Sequence, residues 1–160
     1  MPRNTMVGRL LDLADQLVRE GAAMKSPALR GRAVSTAYYA VFHSLAKSCA
    51  STLLPSTDTD SEAYERVYRA LDHGPLKGAF AAKEGLLKRR ESLRKIGDLV
   101  VRLQSERHRA DYLPPRRGMF RGDAQDLVDQ ARQAVSEIER LSDEDRIALA
   151  TLLPFKSRSP

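Results

Sequence analysis

Two charged residues, Arg107 and Asp111, fall on what helical periodicity predicts to be an inward-facing stripe. They lie four residues apart, so their side chains can form an ion pair on one face of a helix. A buried charge is costly unless it is paired, and an arginine held in a cleft is also a good ligand for phosphate. Two interpretations follow: a structural ion pair, or a phosphate-binding arginine oriented by Asp111. The apolar members of the stripe are Leu93, Ile96, Val100 and Leu103.

The residues around this pair could complete a chemical site. His108 follows Arg107 directly. Tyr112 comes next to Asp111 and precedes the segment LPPRRGMFRG. We predict a basic loop there, ending the helix at its two prolines. Its three arginines are candidate phosphate contacts: Arg116, Arg117 and Arg121.

The positive charge of the chain is concentrated in one place. The net charge is +6, yet the segment 86–122 holds eleven basic and four acidic residues, and the remainder is slightly acidic. A basic patch of this kind favours an anionic partner, with nucleic acid first among the candidates. The other interpretation is a solvated basic helix face.

The segment ALRGRAVSTAYYAVFHSLAKSCA predicts a central helix, with Ser26 as its N-cap and Pro27 in its first turn. No charged residue occurs between Arg32 and Lys47, which indicates a helix covered on more than one side. The stripe opposite its apolar face either holds satisfied polar groups in a core, or faces a ligand or a second subunit. Its apolar face consists of Val34, Ala37, Tyr38, Val41, Leu45 and Cys49, and the opposite stripe of Arg32, Thr36, Tyr39 and His43. For Tyr38 and Tyr39 as a pair, packing is favoured over the alternative of stacking on a base.

The other segments also read as helices, and no segment alternates with period two for long enough to predict a strand. We therefore predict an all-α fold: an up-and-down helical bundle of five main helices plus a short C-terminal helix. The 160 residues form one predicted domain, with a core of about 4–141 and a short helix and tail over 142–160. The predicted helices begin near Thr5, Pro27, Ser61, Lys83, Ala124 and Ser142, and residues 76–80 make at most a short helical turn.

Several classes of protein and site are not supported by the sequence. One cysteine allows no disulfide framework, and three distant histidines have no metal-ligand spacing, so we predict no metal and no cofactor. No apolar run is long enough for a membrane span, and the N-terminal segment lacks the features of a signal peptide. The expected location is the cytoplasm.

Three segments together resemble the HEPN domain: RAVSTAYYAVFHSLAK, LDHGPLKGAF and LQSERHRADY. The resemblance covers about 4–141. It implies a small α-helical bundle, usually homodimeric, in a prokaryotic toxin–antitoxin, defence or nucleotide-binding system. It also implies a minimal nucleotidyltransferase as a possible antitoxin partner.

Catalytic HEPN proteins cleave RNA without a metal through an Arg-x4-6-His motif. Here an Arg-x4 step from Arg107 reaches Tyr112 instead of histidine, whereas Arg102 and His108 match the spacing only formally. We align the chain on R-x-x-A-D-Y, which places the candidate catalytic set at Arg107, His108, Asp111 and Tyr112. The general acid–base residue that such cleavage needs would be His108 if the helix end is distorted, or His43 if the central helix lines the same cleft. The candidate RNA- or nucleotide-binding set is Arg32, Tyr39, His43, Arg102, Arg116, Arg117 and Arg121.

The resulting hypothesis is an RNA- or nucleotide-binding protein that acts as a toxin-type, metal-independent ribonuclease. The alternative is a non-catalytic HEPN module that docks the nucleotidyltransferase, and a purely structural helical adaptor is a third.

Overall fold

The computed structural model describes residues 5–81 and 90–155, and all regular structure within these ranges is helical. The predicted all-α class is confirmed. None of the described helices is long and apolar enough to cross a lipid bilayer. The helices are α1 (Met6–Ala23), α2 (Pro27–Leu53), α3 (Glu62–Tyr68), α4 (His73–Ala81), α5 (Glu91–Tyr112), α6 (Ala124–Glu139) and α7 (Asp143–Leu152).

The predicted helix caps are confirmed where hydroxyl side chains begin a helix. Thr5 Oγ1 accepts a hydrogen bond from the backbone N–H of Gly8, and Ser26 Oγ accepts one from Leu29. Ser142 does the same for the backbone N–H of Asp145 at 3.2 Å. Each cap satisfies an amide that has no partner within its own helix, which explains why these helices begin where they do.

The third predicted helix is shorter than its sequence pattern indicated. The apolar pattern extended it to His73, but α3 ends at Tyr68. The sequence pattern predicts an inner face of Ala63, Val67, Ala70 and Leu71. Leu71 is buried as predicted, but Ala63 and Ala70 are exposed. The unpredicted Tyr64 is buried instead, and its hydroxyl lies 3.0 Å from Ser51 Oγ. Alanine buries little apolar area, so the large ring decides which face of the helix turns inward.

The segment after α3 forms a full helix where only a short turn was predicted. His73-Gly74-Pro75 does not merely break the preceding helix, because α4 begins at His73. A proline in the first turn of a helix loses no intrahelical hydrogen bond, since that N–H has no partner there. Leu76 and Phe80, one turn apart, are both buried and hold the helix in place.

The long basic helix begins later in the structure than the predicted start at Lys83. Arg90 forms a bend, and α5 begins at Glu91; residues 83–89 of the prediction lie outside the described residues. The predicted C-terminus is confirmed at Tyr112, before the two prolines. The segment FKSRSP, 155–160, is predicted to be frayed, and its residues 156–160 lie outside the described residues.

The chain divides into two compact units, and the prediction of a single domain stays a prediction. The first unit takes its described residues from Met1–His43 and Leu99–Ser136. In it, Arg132 of α6 pairs with Asp15 of α1 and lies 3.1 Å from Asp12. Its most enclosed side chains include Leu11, Val34, Tyr38, Val41, Val100, Leu103, Leu127 and Val128.

The second unit takes its described residues from Ser44–Asp98 and Glu137–Pro160. Gly97 is needed here because a Cβ at this position would come within 2.7 Å of Cδ1 of Phe80. Asp145, buried at the start of α7, pairs with Arg90 and accepts a 2.6 Å hydrogen bond from Ser92 Oγ. These contacts connect the beginning of α5 to α7.

Acid should weaken this unit through Asp145. The hydrogen bond from Ser92 and the contact with Arg90 outweigh burial and lower the pKa of the Asp145 carboxyl below its ordinary value. The unfolded chain therefore binds the proton first as the pH falls, and the stabilisation present above about pH 4–5 is lost below it. We expect Asp145→Asn to cost about 1–3 kcal/mol of unfolding free energy at pH 7 and to flatten the acid dependence. Urea unfolding at pH 7 and pH 3.5 measures the loss of stability and its dependence on acid, with Asp143→Asn at an exposed position as control. If the stability of the Asp145 variant and that of the parent fall equally with acid, the expectation is wrong.

Candidate functional site

The inward stripe of α5 ends in a cation. Ile96, Val100 and Leu103 are completely enclosed, and the next position on the stripe is Arg107, whose side chain is 15 % exposed. The predicted position of Arg107 on the inward stripe is therefore confirmed. A largely enclosed guanidinium must find polar partners, because burying an unpaired charge is costly.

Small residues bring α2 close to the C-terminal end of α5. A Cβ placed on Gly31 would lie 3.6 Å from the Cβ of Ala110, so the two backbones approach closely at this point. Tyr38 and Tyr39 follow two turns later on α2, and Arg107 precedes Ala110 by about one turn on α5. The helices therefore run in opposite directions past each other, and the tyrosines reach the guanidinium.

Arg107 is held by a hydroxyl and a carboxylate. Its Nη2 donates a 3.0 Å hydrogen bond to the Tyr39 hydroxyl. Its Nε lies 2.9 Å from Oδ2 of Asp111, but without hydrogen-bond geometry, so this contact is an ion pair and not a linear hydrogen bond. The predicted Arg107–Asp111 pair therefore exists, and Tyr39 is its third member.

Three aromatic rings surround the same guanidinium. The Cζ atom of Arg107 lies 5.6 Å from the ring centroid of Tyr38, 5.5 Å from that of Tyr39 and 5.8 Å from that of Tyr112. At these distances the negative faces of the rings attract the cation. We call Tyr38, Tyr39, Arg107, Asp111 and Tyr112 the arginine cluster.

The electrostatics of the cluster keep the arginine charged and the inner tyrosine neutral. Burial disfavours the charged form of Arg107, but the contacts with Tyr39 and Asp111 outweigh it and raise the pKa of the guanidinium. Burial raises the pKa of Tyr38 well above its ordinary value. Arg107 is thus a permanent cation at any physiological pH.

The Arg107 guanidinium also has N–H groups that no acceptor among the described residues uses. An arginine carries five N–H groups, and Arg107 uses one in its hydrogen bond to Tyr39 while Nε faces Asp111. Among the described residues Nη1 has no acceptor, and unlike Nε it is not fully enclosed. Nη1 is therefore a donor that neither Tyr39 nor Asp111 occupies.

His108 is connected to the cluster through Tyr112. The two rings lie 4.8 Å apart at 40°, and both residues are exposed, Tyr112 by 64 %. The four predicted catalytic residues are therefore linked: Arg107 contacts Asp111 and Tyr112, and Tyr112 contacts His108. An exposed ring pair beside a fixed cation is an arrangement on which an unpaired base can stack.

The remaining predicted binding residues differ in their placement. His43 lies one turn after Tyr39 and is half-buried, with its ring edge-on to Phe42 at 6.0 Å; burial lowers the pKa of its imidazole. The formal Arg102-x5-His108 motif does not form a site like that of Arg107, because Arg102 is exposed. Five predicted binding arginines are exposed and have no ion-pair partner within the described residues: Arg32, Arg102, Arg116, Arg117 and Arg121.

The sequence favoured packing over base stacking for Tyr38 and did not predict its contact with Arg107. Tyr38 is fully enclosed, as its place on the apolar face indicates, and its ring still faces the guanidinium. The available signal was the tyrosine pair itself. Consecutive helical residues differ by about 100° in direction, so Tyr38 and Tyr39 can flank a group that enters from a neighbouring helix.

Comparisons with known proteins add no assignment. No protein-family model, no curated protein and no solved structure matches this chain. Membership of the HEPN superfamily therefore stays a prediction. Within the described residues, no group of three or more His, Cys, Asp or Glu side chains could hold a metal ion.

Proposed function

We propose that this protein is a HEPN-like RNA-binding protein of the cytoplasm that holds an RNA phosphate on Arg107 and cleaves the strand without a metal. One observation carries the proposal: Arg107 is fixed by Tyr39 and Asp111, has Nη1 available, and lies beside the exposed Tyr112–His108 pair. Cation, stacking surface and titratable imidazole thus occur together at one helix end.

Phosphate binding follows from the way Arg107 is held. A guanidinium binds a phosphate oxygen through short, charge-assisted hydrogen bonds, and pre-ordering of the side chain reduces the entropy lost on binding. Tyr39 and Asp111 supply that order through one hydrogen bond and one ion pair. Asp111 neutralises part of the charge, so binding also needs the surrounding basic segment.

Base recognition follows from the exposed rings. Tyr112 presents a large aromatic surface to solvent next to a cation, and the neighbouring imidazole extends that surface. Stacking of a base on an aromatic side chain contributes about 1–3 kcal/mol and tolerates any sequence. The ligand expected here is single-stranded RNA, and a mononucleotide is the smallest ligand that offers both a base and a phosphate.

Cleavage would use the 2′-hydroxyl of the RNA as nucleophile. His108 accepts the proton of that hydroxyl, the oxygen attacks the adjacent phosphorus, and Arg107 stabilises the charge on the phosphate oxygens. The 5′-oxygen leaves with a proton, which in this proposal comes from the Tyr112 hydroxyl. The products are a 2′,3′-cyclic phosphate and a 5′-hydroxyl.

A second candidate function is a non-catalytic module that docks a minimal nucleotidyltransferase. The observation that favours it is the Asp111 carboxylate, which compensates the charge of Arg107 from within the protein. In this case RNA would bind weakly and would not be cleaved. The charge-poor central helix has two faces to cover, and together with the HEPN resemblance this predicts a homodimer. A homodimer is compatible with both functions and stays a prediction.

Incubation of the purified protein with a 5′-labelled, unstructured RNA in EDTA tests the proposal. We expect binding that weakens as salt is raised, since phosphate contacts release counterions, and cleavage products that end in a cyclic phosphate. A DNA oligonucleotide of the same sequence is the control, because it lacks the 2′-hydroxyl and should bind without cleavage. If RNA is bound but not cleaved, the docking module is favoured. If RNA is not bound even at low salt, Arg107 neither binds a phosphate nor takes part in cleavage.

A further inference from the structure

A second arginine is more deeply buried than Arg107 and has no acidic partner within the described part of the chain. Arg30, in the first turn of α2, is only 6 % exposed. Its Nε donates a 2.8 Å hydrogen bond to the backbone carbonyl of Met119. Among the described residues, this is the one hydrogen bond that the Arg30 side chain makes to the protein. A buried cation is normally compensated by a carboxylate. Arg30 is thus a cation that lacks its anion.

The position of Arg30 is determined by the end of α1. A Cβ placed on Gly21 would lie 3.0 Å from Cγ of Arg30 and 3.1 Å from its backbone nitrogen. The backbone of Gly21 therefore packs closely against the stem of this side chain, and a larger residue at 21 would require Arg30 to move by a few tenths of an ångström. The guanidinium is directed to Met119 and not outward along the helix surface, as it would be on an isolated α2.

Met119 belongs to the basic loop, residues 113–122, which is held in place by its buried residue Phe120. Phe120 is 3 % exposed, and its ring lies 5.2 Å below the guanidinium carbon of Arg109. Phe120 adopts a positive φ of 59°, which a non-glycine residue does only when its surroundings hold it there. Two turn hydrogen bonds, from Met119 to Arg116 and from Arg121 to Gly118, shape the rest of the loop.

These anchors leave the charged side chains of the loop outside. Arg116, Arg117 and Arg121 are exposed and have no ion-pair partner among the described residues, although Phe120 between them is buried. Three uncompensated cations are thus held on a short loop, with a fourth, Arg30, hydrogen-bonded to its backbone. A flexible basic tail would have to be ordered on binding, whereas this loop is ordered in advance.

We propose that Arg30 and the basic loop form a second phosphate-binding site, so that the ligand is a strand of RNA with several phosphates and not a mononucleotide. The inference rests on the proposed function of Arg107, which supplies the first phosphate contact. Arg30 acts mainly as a positioning residue: it holds the Met119 carbonyl and adds its charge beneath the loop. The exposed arginines contact the strand.

The test compares a long and a short ligand in the same variants. Binding of a fluorescein-labelled 12-nucleotide oligouridylate and of uridine monophosphate is measured for the parent and for Arg30→Met, which keeps the apolar stem. We expect Arg30→Met to weaken oligouridylate binding about tenfold, as loss of a charged hydrogen-bonding group does. Its mononucleotide affinity should stay within about twofold of the parent's, because the arginine cluster is untouched. Arg140→Ala, which removes an exposed arginine from α6's C-terminal flank, is the matched charge control and should change neither.

A second variant keeps the test decisive if Arg30→Met does not fold. This variant combines Arg116→Ala, Arg117→Ala and Arg121→Ala, which alter only exposed side chains. For oligouridylate, we expect it to lower the slope of log affinity against log salt concentration by about 2. An unchanged slope, or equal losses for both ligands, would overturn the second site. Arg107→Ala separates the two proposals: mononucleotide binding that survives this change contradicts the proposed function, whatever the loop variants show.

Discussion

Arg107→Ala is expected to abolish detectable mononucleotide binding and RNA cleavage while the protein remains folded. The change removes the only cation of the arginine cluster and, with it, the contact to the phosphate. We expect a loss of about 1–3 kcal/mol of unfolding free energy, as for a hydrogen bond to a charged group. This lies below the 3–5 kcal/mol typical of a broken, fully buried pair, because the Asp111 side chain is 18 % exposed and can be hydrated. Thermal melts and fluorescence anisotropy on the same samples measure both effects.

Two further variants separate charge from geometry at this position. Arg107→Lys keeps the charge but has no planar fork with which to reach Tyr39, Asp111 and a phosphate together, so we expect intermediate binding. Arg107→Met with Asp111→Leu removes the pair as a unit and should recover most of the stability without recovering binding. An Arg107→Ala protein that binds and cleaves RNA like the parent would refute the site. A large loss of stability, fully recovered in the double variant and with no specific loss of binding, would show a purely structural pair.

His108→Asn is expected to lower the rate of RNA cleavage by about 10²–10⁴-fold with binding nearly unchanged. Asparagine retains a planar polar group that can face the Tyr112 ring, but it cannot take up the proton of a 2′-hydroxyl at neutral pH. Single-turnover cleavage in EDTA, together with anisotropy, distinguishes the chemical step from binding. A variant that cleaves like the parent would show that the base lies elsewhere.

His43→Asn is the matched variant for that experiment. His43 lies beyond Tyr39 on α2 and is half-buried, and the pKa of its imidazole is lowered by burial. Loss of cleavage in this variant, with normal cleavage in His108→Asn, would move the proton transfer to His43. Arg102→Ala tests the competing motif spacing in the same assay, and we expect little effect because Arg102 is exposed and lies outside the arginine cluster.

The helices and their inner faces could be predicted from local rules. Thr5, Ser26 and Ser142 mark helix starts because a hydroxyl side chain satisfies an amide two or three residues further on, and the two prolines end α5 because they cannot continue it. The position of Arg107 on the inner stripe followed from the same periodicity. Its pairing with Asp111 followed as well, since residues four apart share one helix face.

The same rules were wrong where residue size outweighed pattern. The alanines of the third segment fitted a helical stripe, yet Ala63 and Ala70 are exposed and Tyr64 is buried. Periodicity counts each apolar residue equally, whereas the free energy gained by burial grows with the area that is removed from water.

Only the tertiary structure decided which groups from other helices and loops meet Arg107 and Arg30. Tyr39 is 68 residues from Arg107 in sequence, and Met119 is 89 residues from Arg30. No helical spacing relates these partners; they meet because Gly31 and Ala110 let two backbones approach, and because Gly21 leaves room for an arginine stem. Sequence periodicity determines the face on which a side chain lies, but its partner across that face depends on how closely the helices pack.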